Sequence, residues 1–312
     1  MKGNRTLYIT IGVSKSGKTT WAVETASNNE DIVHISSDNI RDELTEGGEY
    51  DPSLNHKVFS IMYGRTKEYL LKGYDVIYDA TNLSHKKRKA LVENIIYFSI
   101  NNDFLLDIQY KMFFCDFETL MDRAEADNFP KEVIQRQLGS YQVPSETDDV
   151  VKYRIAKPIF TGNANNLEQM IVSMSGFNQD NEYHKLDLLG HSNMVAKNIK
   201  IPHFRNFGIF HDVGKLYTKS KGDDGQSHYY GHANTSAYLY LAYQLTCMET
   251  SHDWINHLEI AGYIQEHMNI KFVKTRKALD KLIGRIPKVG RTPEQTTQIL
   301  TYLSLMDDIS RE

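Results

Sequence analysis

Residues 12–19, GVSKSGKT, match the phosphate-binding loop pattern G-x-x-x-x-G-K-[ST]. The apolar and β-branched run LYITI before them predicts a buried strand, and residues 20–26 after them predict the start of a helix. Because a glycine turn between a strand and a helix N-terminus directs backbone N–H groups toward an anion, we expect a nucleoside triphosphate here. Lys18 would reach the β- and γ-phosphates, and the Thr19 hydroxyl would bind Mg²⁺. The residues expected around the polyphosphate are Gly12, Ser14, Ser16, Gly17, Lys18, Thr19 and Thr20.

A second segment, SSDNIR at residues 36–41, could act on an acceptor hydroxyl. It follows a predicted strand at 31–36, so Asp38 should emerge at the edge of the sheet beside the phosphate loop. Its carboxylate could accept the proton of an attacking hydroxyl, and Arg41, one helical turn on, could hold an anion of the acceptor. The alternative is a helix-capping Asp38 beside a solvated Arg41.

A third segment, DATNL at residues 79–83, follows the predicted strand at 74–78. A carboxylate at Asp79 could polarise water on Mg²⁺ or orient Arg41, although a helix-capping role is an equal alternative. We count Asp79 and Asn82 with Arg41 as expected substrate-binding residues. Residues 120–137 predict helix, loop and helix, an arrangement that can form a lid whose arginine, Arg123, neutralises charge on a transferred phosphoryl group. A solvated helix face is the alternative.

The second half of the chain contains histidines and aspartates that could bind a metal ion. His211 and Asp212 are adjacent and follow an apolar helical run, so both could face one ion at a helix terminus. Imidazole and carboxylate together favour Mn²⁺, Fe²⁺, Ni²⁺, Co²⁺ or Zn²⁺. Each histidine taken singly could be an ordinary partly buried or surface residue. The other members of the series are His191, His232, His267 and Asp307.

The chain of 312 residues is long enough for two domains. Its first half alternates strand and helix patterns, which predicts an α/β domain with a parallel sheet flanked by helices; a last strand is expected at 150–155. From residue 186 onward only helical periodicity is present, with helices expected at 186–200, 202–210, 234–249, 257–267 and 292–307. We therefore divide the chain into an α/β domain at 1–160, a linker at 161–182 and an all-helical domain at 183–312.

Net charge, cysteine positions and apolar runs limit the classes of protein to which the chain can belong. A formal net charge of −4 argues against a nucleic-acid binder that works through bulk positive charge, but it does not exclude a local basic groove. The basic segment 86–89 could supply phosphate contacts, and a solvated helix face explains it equally well. Cys115 and Cys247 are isolated, which indicates neither a disulfide framework nor a cysteine metal site. Without a signal peptide or an apolar run of roughly 20 residues, we expect a cytoplasmic protein that does not enter membranes.

Together, residues 12–19, 37–41, 79–83 and the Arg123–Pro130 region resemble the polynucleotide 5′-kinase branch of the P-loop kinases, over about the first 155 residues. The resemblance implies that Lys18 and Thr19 bind ATP and Mg²⁺, that Asp38 is the general base, that Arg41 binds the phosphate beside the acceptor sugar, and that Arg123 is the lid arginine. The family lid usually carries a second arginine, where this chain has Asp127. Either Lys131 or Arg136 replaces it, or one arginine suffices.

Residues 182–312 are similar to the HD phosphohydrolase superfamily, an all-helical family, through the ordered series that begins at His191 and ends at Asp307. The resemblance implies a core metal site at His191, His211, Asp212 and Asp307. It implies further that His232 and His267 hold a second metal, and that Lys215 contacts the phosphate. The expected ions are Mn²⁺, Ni²⁺, Co²⁺ or Zn²⁺.

The two resemblances imply a bifunctional enzyme that heals nucleic-acid ends, with ATP-dependent 5′-kinase and metal-dependent 3′-end (2′,3′) phosphatase activities. Its partners would be RNA or DNA ends and a ligase that joins the healed ends; the sequence leaves monomer and homodimer open. A nucleoside or small-molecule kinase fused to a nucleotide phosphohydrolase is an alternative. So are a regulatory protein in which ATP gates the HD site and an HD module without activity.

Overall fold

The computed structural model describes residues 2–47, 51–145, 154–180, 186–223, 225–247, 254–287 and 289–311. The chain divides into two compact units. The first comprises residues 1–113 and 149–159, and the second comprises residues 114–148 and 160–312. The phosphate loop with the segments at 36–41 and 79–83 lies in the first unit, and the histidine–aspartate series lies in the second, so each unit is described separately.

The first unit is built on a parallel sheet. Its strands are β1 (Lys2–Ile11), β2 (Ile32–Ser36), β3 (Asp75–Asp79), β4 (Phe104–Phe114) and β5 (Arg154–Ile155), in the order β2-β3-β1-β4-β5, and β6 (Ile159–Phe160) also pairs with β4. The pairs β1–β3, β1–β4, β2–β3 and β4–β5 are all parallel. This confirms the predicted α/β class. The expected strand at 150–155 is described only at Arg154–Ile155, and residues 150–153 lie outside the described part.

Four helices accompany this sheet: α1 (Lys18–Ser27), α2 (Ser37–Thr45), α3 (Asn55–Lys72) and α4 (His85–Asn101). The central strand β1 buries Leu7, Ile9 and Ile11, whose alternation places them on one face of the strand. Helix α3 buries residues spaced by four along its length, at Val58, Met62, Thr66 and Leu70. Buried apolar side chains therefore fix the strands and helices on either side of the candidate active-site loops.

The second unit is helical. Its longer helices are α5 (Phe117–Ala126), α6 (Lys131–Leu138), α7 (Ala164–Ser173), α8 (Leu188–Asn198), α9 (Arg205–Phe210), α11 (His232–Cys247), α12 (Trp254–Glu266), α13 (Arg276–Ile283) and α14 (Pro293–Asp308), with a four-residue α10 (Lys215–Thr218). This confirms the predicted helical C-terminal region. Within the described ranges, no helix is both long and apolar enough to cross a membrane.

Two details of the second unit differ from the sequence expectation. The strands β7 (Ser220–Lys221) and β8 (Ser227–His228) form an antiparallel pair, where only helices were expected. Helix α13 was also not predicted. Strands of two residues are too short to show an alternating pattern, and α13 is a short, polar helix whose buried residues are only Leu282 and Ile283.

The second unit includes residues 114–148, which precede residue 160 in the chain. Helices α5 and α6 group with the second unit, because the segment around them packs on α11 and α12. The Tyr238 hydroxyl accepts a hydrogen bond from the Cys115 amide at 3.0 Å, and the Tyr238 ring lies 5.1 Å from that of Phe114 and 5.3 Å from that of Tyr141. The expected linker at 161–182 contains α7. The polar residue Asn163 in this segment is the N-cap of α7, because its side chain accepts a hydrogen bond from the Asn165 amide.

Candidate functional site

The phosphate loop connects β1 to α1, which begins at Lys18. Lys15 and Gly17 have φ angles of 66° and 87°, in the left-handed region that turns the chain sharply between strand and helix. At Gly12, a Cβ atom would lie 2.8 Å from the carbonyl oxygen of Phe113 and 2.7 Å from Oγ of Ser16, so a side chain would not fit. The glycines at 12 and 17 are therefore required by close approach and by backbone conformation respectively.

Side chains of the loop are turned toward its own backbone. Lys18 Nζ donates to the Val13 carbonyl at 2.7 Å, and the Ser16 hydroxyl donates to the same oxygen at 2.8 Å. Burial lowers the pKa of Lys18, and the charges of Asp79 and Asp38 oppose that effect. Ser14 is partly exposed, and Thr19 and Thr20 are exposed. The loop thus holds its lysine next to the space where a polyphosphate would be bound by backbone amides.

Asp79, at the end of β3, contacts two hydroxyl groups and an imidazole. Its Oδ2 accepts a hydrogen bond from the Thr19 hydroxyl at 2.9 Å and lies 3.0 Å from His34 Nε2, while its Oδ1 accepts from the Thr10 hydroxyl at 3.1 Å. Burial alone would raise the pKa of Asp79. The hydrogen bond with His34 and the charge of Lys18 outweigh it, and the pKa is lowered overall. Asp79 is therefore an ionised, fixed carboxylate beside the hydroxyl expected to bind Mg²⁺.

Sequence reasoning missed His34. It lies on the edge strand β2, two residues before Ser36, so both side chains are on one face of the strand. Its ring also borders a cavity of about 360 Å³ whose wall includes Glu43, Arg65 and Tyr69. The sequence did contain a signal for His34, namely a polar residue between Val33 and Ile35 in an otherwise apolar strand.

Asp38 and Arg41 lie on α2, whose N-cap is Ser36. The Ser36 hydroxyl accepts hydrogen bonds from the amides of Asp38 and Asn39, so Ser36 performs the capping role considered for Asp38. The Asp38 side chain is 76% exposed, and its Oδ1 accepts from Arg41 Nη1 at 2.8 Å. Arg41 also donates to the side chain of Asn55 at 3.1 Å. This leaves an accessible carboxylate with a guanidinium beside it.

Asn82 shapes the loop after β3. Its φ angle is 45°, and its side-chain amide donates to the Thr10 carbonyl at 2.8 Å. The buried Arg88 donates to the carbonyls of Asn82 and Leu83, both at 2.9 Å. Within the basic segment 86–89, Arg88 therefore faces the protein interior and holds the loop, and it is not available for a phosphate contact.

The expected lid arginine lies in the second unit. Arg123 donates to the Thr161 hydroxyl at 3.1 Å and to the Thr161 carbonyl, and its Nη1 lies 3.7 Å from Cys115 Sγ. Of the two candidates for a second lid cation, Lys131 pairs with Glu125 at 2.6 Å, and Arg136 is exposed on α6. Asp127 is exposed at the end of α5.

The six histidines and aspartates predicted as metal ligands converge in the second unit. His191 lies on α8, Asp307 on α14, and His232 is the first residue of α11, while His267 directly follows α12. The adjacent His211 and Asp212 come directly after α9, where the end of the helix lets both face inward. One group of possible ligands comprises His191, His211, Asp212 and Asp307, and a second comprises Asp212, His232 and His267; the ligand atoms of each group lie within 4.8 Å of one another.

Asp212 belongs to both groups. Its Oδ2 lies 3.3 Å from His211 Nε2 and 3.8 Å from His191 Nε2, and its Oδ1 lies 3.2 Å from His232 Nε2 and 3.9 Å from His267 Nε2. Asp307 Oδ1 lies 3.2 Å from His191 Nε2 and 3.5 Å from His211 Nε2. The carboxylate of Asp212 therefore has the position of a bridging group between two sets of imidazoles.

Backbone carbonyls orient all four imidazoles. The Nδ1 atoms of His191, His211, His232 and His267 lie 3.1, 2.9, 2.8 and 2.6 Å from the carbonyl oxygens of Ser310, Gly208, Tyr229 and Ile264. A carbonyl only accepts, so each Nδ1 donates to its carbonyl and each Nε2 faces the cluster. The buried Nε2 atoms of His211, His232 and His267 have no hydrogen-bond partner. Buried imidazole nitrogens without a hydrogen-bond partner, next to shared carboxylates, fit a divalent cation.

Charge in the cluster follows from burial and proximity. Burial lowers the pKa of His211, but the two carboxylates outweigh it and raise the value to about 10. Burial together with the charge of His211 lowers the pKa of His267 to about 3. Burial would raise the pKa values of Asp212 and Asp307, yet the neighbouring cations and hydrogen bonds lower both. Both carboxylates are thus ionised, as metal ligation requires.

Cationic groups surround these carboxylates. Lys215 Nζ donates to Asp212 Oδ2 at 2.6 Å and to Gln179 Oε1 at 2.7 Å. Lys271 and Arg311 donate to Asp307 Oδ2 at 3.2 and 2.9 Å. Asp308 is half exposed and pairs with Lys271 at 2.6 Å, outside the cluster. Gln179 was missed because it lies in a polar segment that was interpreted as linker.

A family model described as an AAA domain matches residues 7–144. No curated protein matches the chain.

Two solved structures are similar in part. One, described as the structure of the Pnkp1/Rnl/Hen1 RNA repair complex, is 22% identical over 43% of this chain and 42% of that chain, with a TM-score of 0.36. The other, described as the structure of the Pnkp1/Rnl/Hen1 complex, is 25% identical over 38% of each chain, with a TM-score of 0.31. The chain thus spans less than half the length of either. The N-terminal half has a P-loop kinase-like fold, and the C-terminal half is a helical region with a histidine–aspartate cluster able to hold a metal ion.

Proposed function

We propose that this chain is a bifunctional nucleic-acid end-healing enzyme that phosphorylates 5′-hydroxyl ends with ATP and removes phosphate from 3′ ends. The observation that carries the proposal is the presence of two chemically different sets of groups, one in each unit, with the proposed lid arginine Arg123 as the exception that lies in the second unit. The first is a phosphate loop with an accessible carboxylate–guanidinium pair, and the second is a buried cluster of imidazoles and carboxylates.

In the kinase reaction, Asp38 is the general base. Its exposed carboxylate takes the proton of the 5′-hydroxyl as that oxygen attacks the γ-phosphorus of ATP and the bond to the β-phosphate oxygen breaks. Arg41 holds Asp38 in place and binds a phosphate of the acceptor strand. Lys18 contacts the β- and γ-phosphates, for which it must leave the Val13 carbonyl. Mg²⁺ bound at Thr19 would neutralise the charge of the transferred group.

Arg123 is proposed as the lid arginine of this reaction. Its hydrogen bonds to Thr161 mean that it must exchange these partners for the phosphates of the nucleotide. The Thr161 hydroxyl and carbonyl are neutral acceptors, whereas phosphate oxygens are anionic. Hydrogen bonds from the guanidinium to phosphate are the stronger of the two, which favours this exchange. Of the two candidates for a second lid cation, Lys131 is paired with Glu125 and Arg136 is exposed on α6, so we propose Arg136.

For the phosphohydrolase reaction, His191, His211, Asp212 and Asp307 would hold one metal ion, and Asp212, His232 and His267 would hold a second. Divalent transition-metal ions such as Mn²⁺, Ni²⁺, Co²⁺ or Zn²⁺ would activate water and neutralise the phosphate. Lys215, whose ammonium group lies 2.6 Å from Asp212 Oδ2, is proposed to bind a phosphate oxygen at the cluster. The buried carbonyl partners of the histidines keep each Nε2 directed at the ligand site.

One experiment tests both activities on one molecule. The chain is incubated with γ-labelled ATP, Mg²⁺, Mn²⁺ and an oligonucleotide with a 5′-hydroxyl and a 3′-phosphate, and both ends are followed. We expect Asp38→Ala to abolish 5′ labelling and spare 3′-phosphate release, and His211→Ala to do the reverse. Asp42→Ala, exposed on the same helix as Asp38, and Asp308→Ala, next to the cluster, are the matched controls.

Other outcomes distinguish the alternatives. Loss of both activities in either variant would contradict two separable sites, and retained labelling in Asp38→Ala would remove that residue from the base role. Phosphorylation of free nucleosides with untouched oligonucleotides would indicate a small-molecule kinase. ATP turnover without a labelled acceptor would indicate nucleotide gating of the second site.

A further inference from the structure

The histidine–aspartate cluster opens to solvent at one ligand. The His232 side chain is 11% exposed, whereas the other five ligand side chains are at most 4% exposed. His232 is the first residue of α11, so the opening lies at the turn that enters this helix. A phosphate ester bound at this opening would therefore lie next to residues 228–232.

Two neighbouring tyrosines in this turn face opposite ways. The Tyr229 hydroxyl donates to the Gln179 carbonyl at 2.6 Å, and the Tyr229 ring lies 5.6 Å from Lys215 Nζ. Tyr230 is 78% exposed. Gly231, with a φ angle of 77° and its Cα packed against Gly139, turns the chain between Tyr230 and the ligand His232. Tyr230 is thus held outside the cluster, two residues from its most accessible ligand.

A second ring supports the exposed tyrosine. The His228 imidazole, at the end of β8, is parallel to the Tyr230 ring within 9°, with ring centroids 5.3 Å apart. This stacking fixes the plane of Tyr230 and leaves its other face open to solvent. A flat, oriented aromatic face at the opening of a phosphate-ester site is suited to a planar partner, because bases stack on aromatic side chains irrespective of their sequence.

We propose that Tyr230, backed by His228, is a stacking platform for the nucleobase nearest the 3′-phosphate. This inference rests on the proposed phosphohydrolase function and names its substrate class: esters that carry a base next to the scissile phosphate. The exposed Lys221 on β7, in the same hairpin, adds positive charge for the strand backbone. The site would then discriminate a nucleic-acid end from a base-free phosphate ester.

The test compares a 3′-phosphorylated oligonucleotide with the same oligonucleotide lacking its 3′-terminal base. Tyr230→Ala should reduce the preference for the base-bearing substrate, measured as the ratio of kcat/KM values, by about 5- to 150-fold, the range expected for one stacked base. Tyr230→Phe keeps an aromatic ring and should keep the preference. Tyr97→Ala is the matched control, because Tyr97 is 69% exposed on α4, in the other unit.

Binding gives a second measurement that does not depend on turnover. Fluorescence anisotropy of the two labelled oligonucleotides, with protein dialysed free of metal, should show the same change in the ratio of Kd values. An unchanged ratio in Tyr230→Ala, or an equal fall in Tyr97→Ala, would overturn the platform. If the wild-type chain hydrolyses neither substrate, the proposed phosphohydrolase function fails, and the binding ratio still decides the role of Tyr230.

Discussion

His232 and Asp212 define how the cluster is divided. His232 Nε2 lies 3.2 Å from Oδ1 of Asp212, whereas the imidazole nitrogen closest to the other oxygen, Oδ2, is that of His211 at 3.3 Å. One carboxylate therefore faces two separate sets of imidazoles. This relationship predicts different metal stoichiometries for variants at the two positions.

His232→Ala should lower the bound metal from two ions per chain to one. It removes one of three ligands of the second group and leaves the first group intact. Asp212→Ala should lose both ions, because its carboxylate is common to both. Metal content is measured by elemental analysis after loading with Mn²⁺ and dialysis.

His56→Ala, an exposed histidine of the first unit, serves as the control for the loss of an imidazole. Two ions retained in His232→Ala would contradict the second group. Loss of a single ion in Asp212→Ala would contradict the bridging role of that carboxylate.

His34→Ala should raise the Mg²⁺ concentration that half-saturates 5′-kinase activity, by about tenfold, since it removes a hydrogen bond to an ionised carboxylate. Asp79 would then keep its bonds to Thr19 and Thr10, but Oδ2 would lose its imidazole contact. The measurement is a Mg²⁺ titration of 5′ labelling at saturating ATP.

His34→Gln retains an amide donor and should restore most of the Mg²⁺ affinity, which a mere loss of packing would not explain. Tyr69→Phe, a change in the wall of the same cavity, should leave the titration unchanged. A normal Mg²⁺ requirement in His34→Ala would show that Asp79 is positioned without the imidazole.

Arg88→Met should destabilise the first unit by roughly 3 kcal/mol, because two loop carbonyls lose a charged donor in a buried place. The measurement is urea unfolding followed by the fluorescence of the tryptophans, since Trp21 packs on Tyr8 and Phe113. Lys86→Met, an exposed change on the same helix, is the control. Equal unfolding midpoints for the two variants would contradict the structural role of Arg88.

Much of the fold follows from local pattern. The strands before Gly12, Asp38 and Asp79 were recognisable as apolar runs, and the parallel sheet follows from their alternation with helices. The set of converging histidines and aspartates, by contrast, was expected from the resemblance to the HD superfamily and not from periodicity. In the structure, His211 and Asp212 follow the end of a helix and His232 begins one. Metal binding itself stays a prediction.

Long-range contacts explain what the sequence did not reveal. His34 and Gln179 acquire their roles only through partners on other elements, namely Asp79 and Lys215. The expected substrate contact of Asn82 depends on where its amide points, and in the structure it donates to Thr10. The packing of α5 and α6 within the second unit depends on Tyr238, which is more than a hundred residues away in the chain. Local periodicity does not predict contacts between residues that lie so far apart in the chain.

The bond between Tyr238 and the Cys115 amide also determines how the protein can be dissected. A fragment that stops at residue 160 would lack Tyr238 and Trp254, and the rings of Phe114 and Tyr141 that pack on them would become solvent-exposed. Such a fragment would aggregate or lose the order of α5 and α6, the helices that carry Arg123. An inactive truncated fragment would therefore not count against the proposed kinase residues, and point variants of the intact chain are the sound way to test the two proposed activities separately.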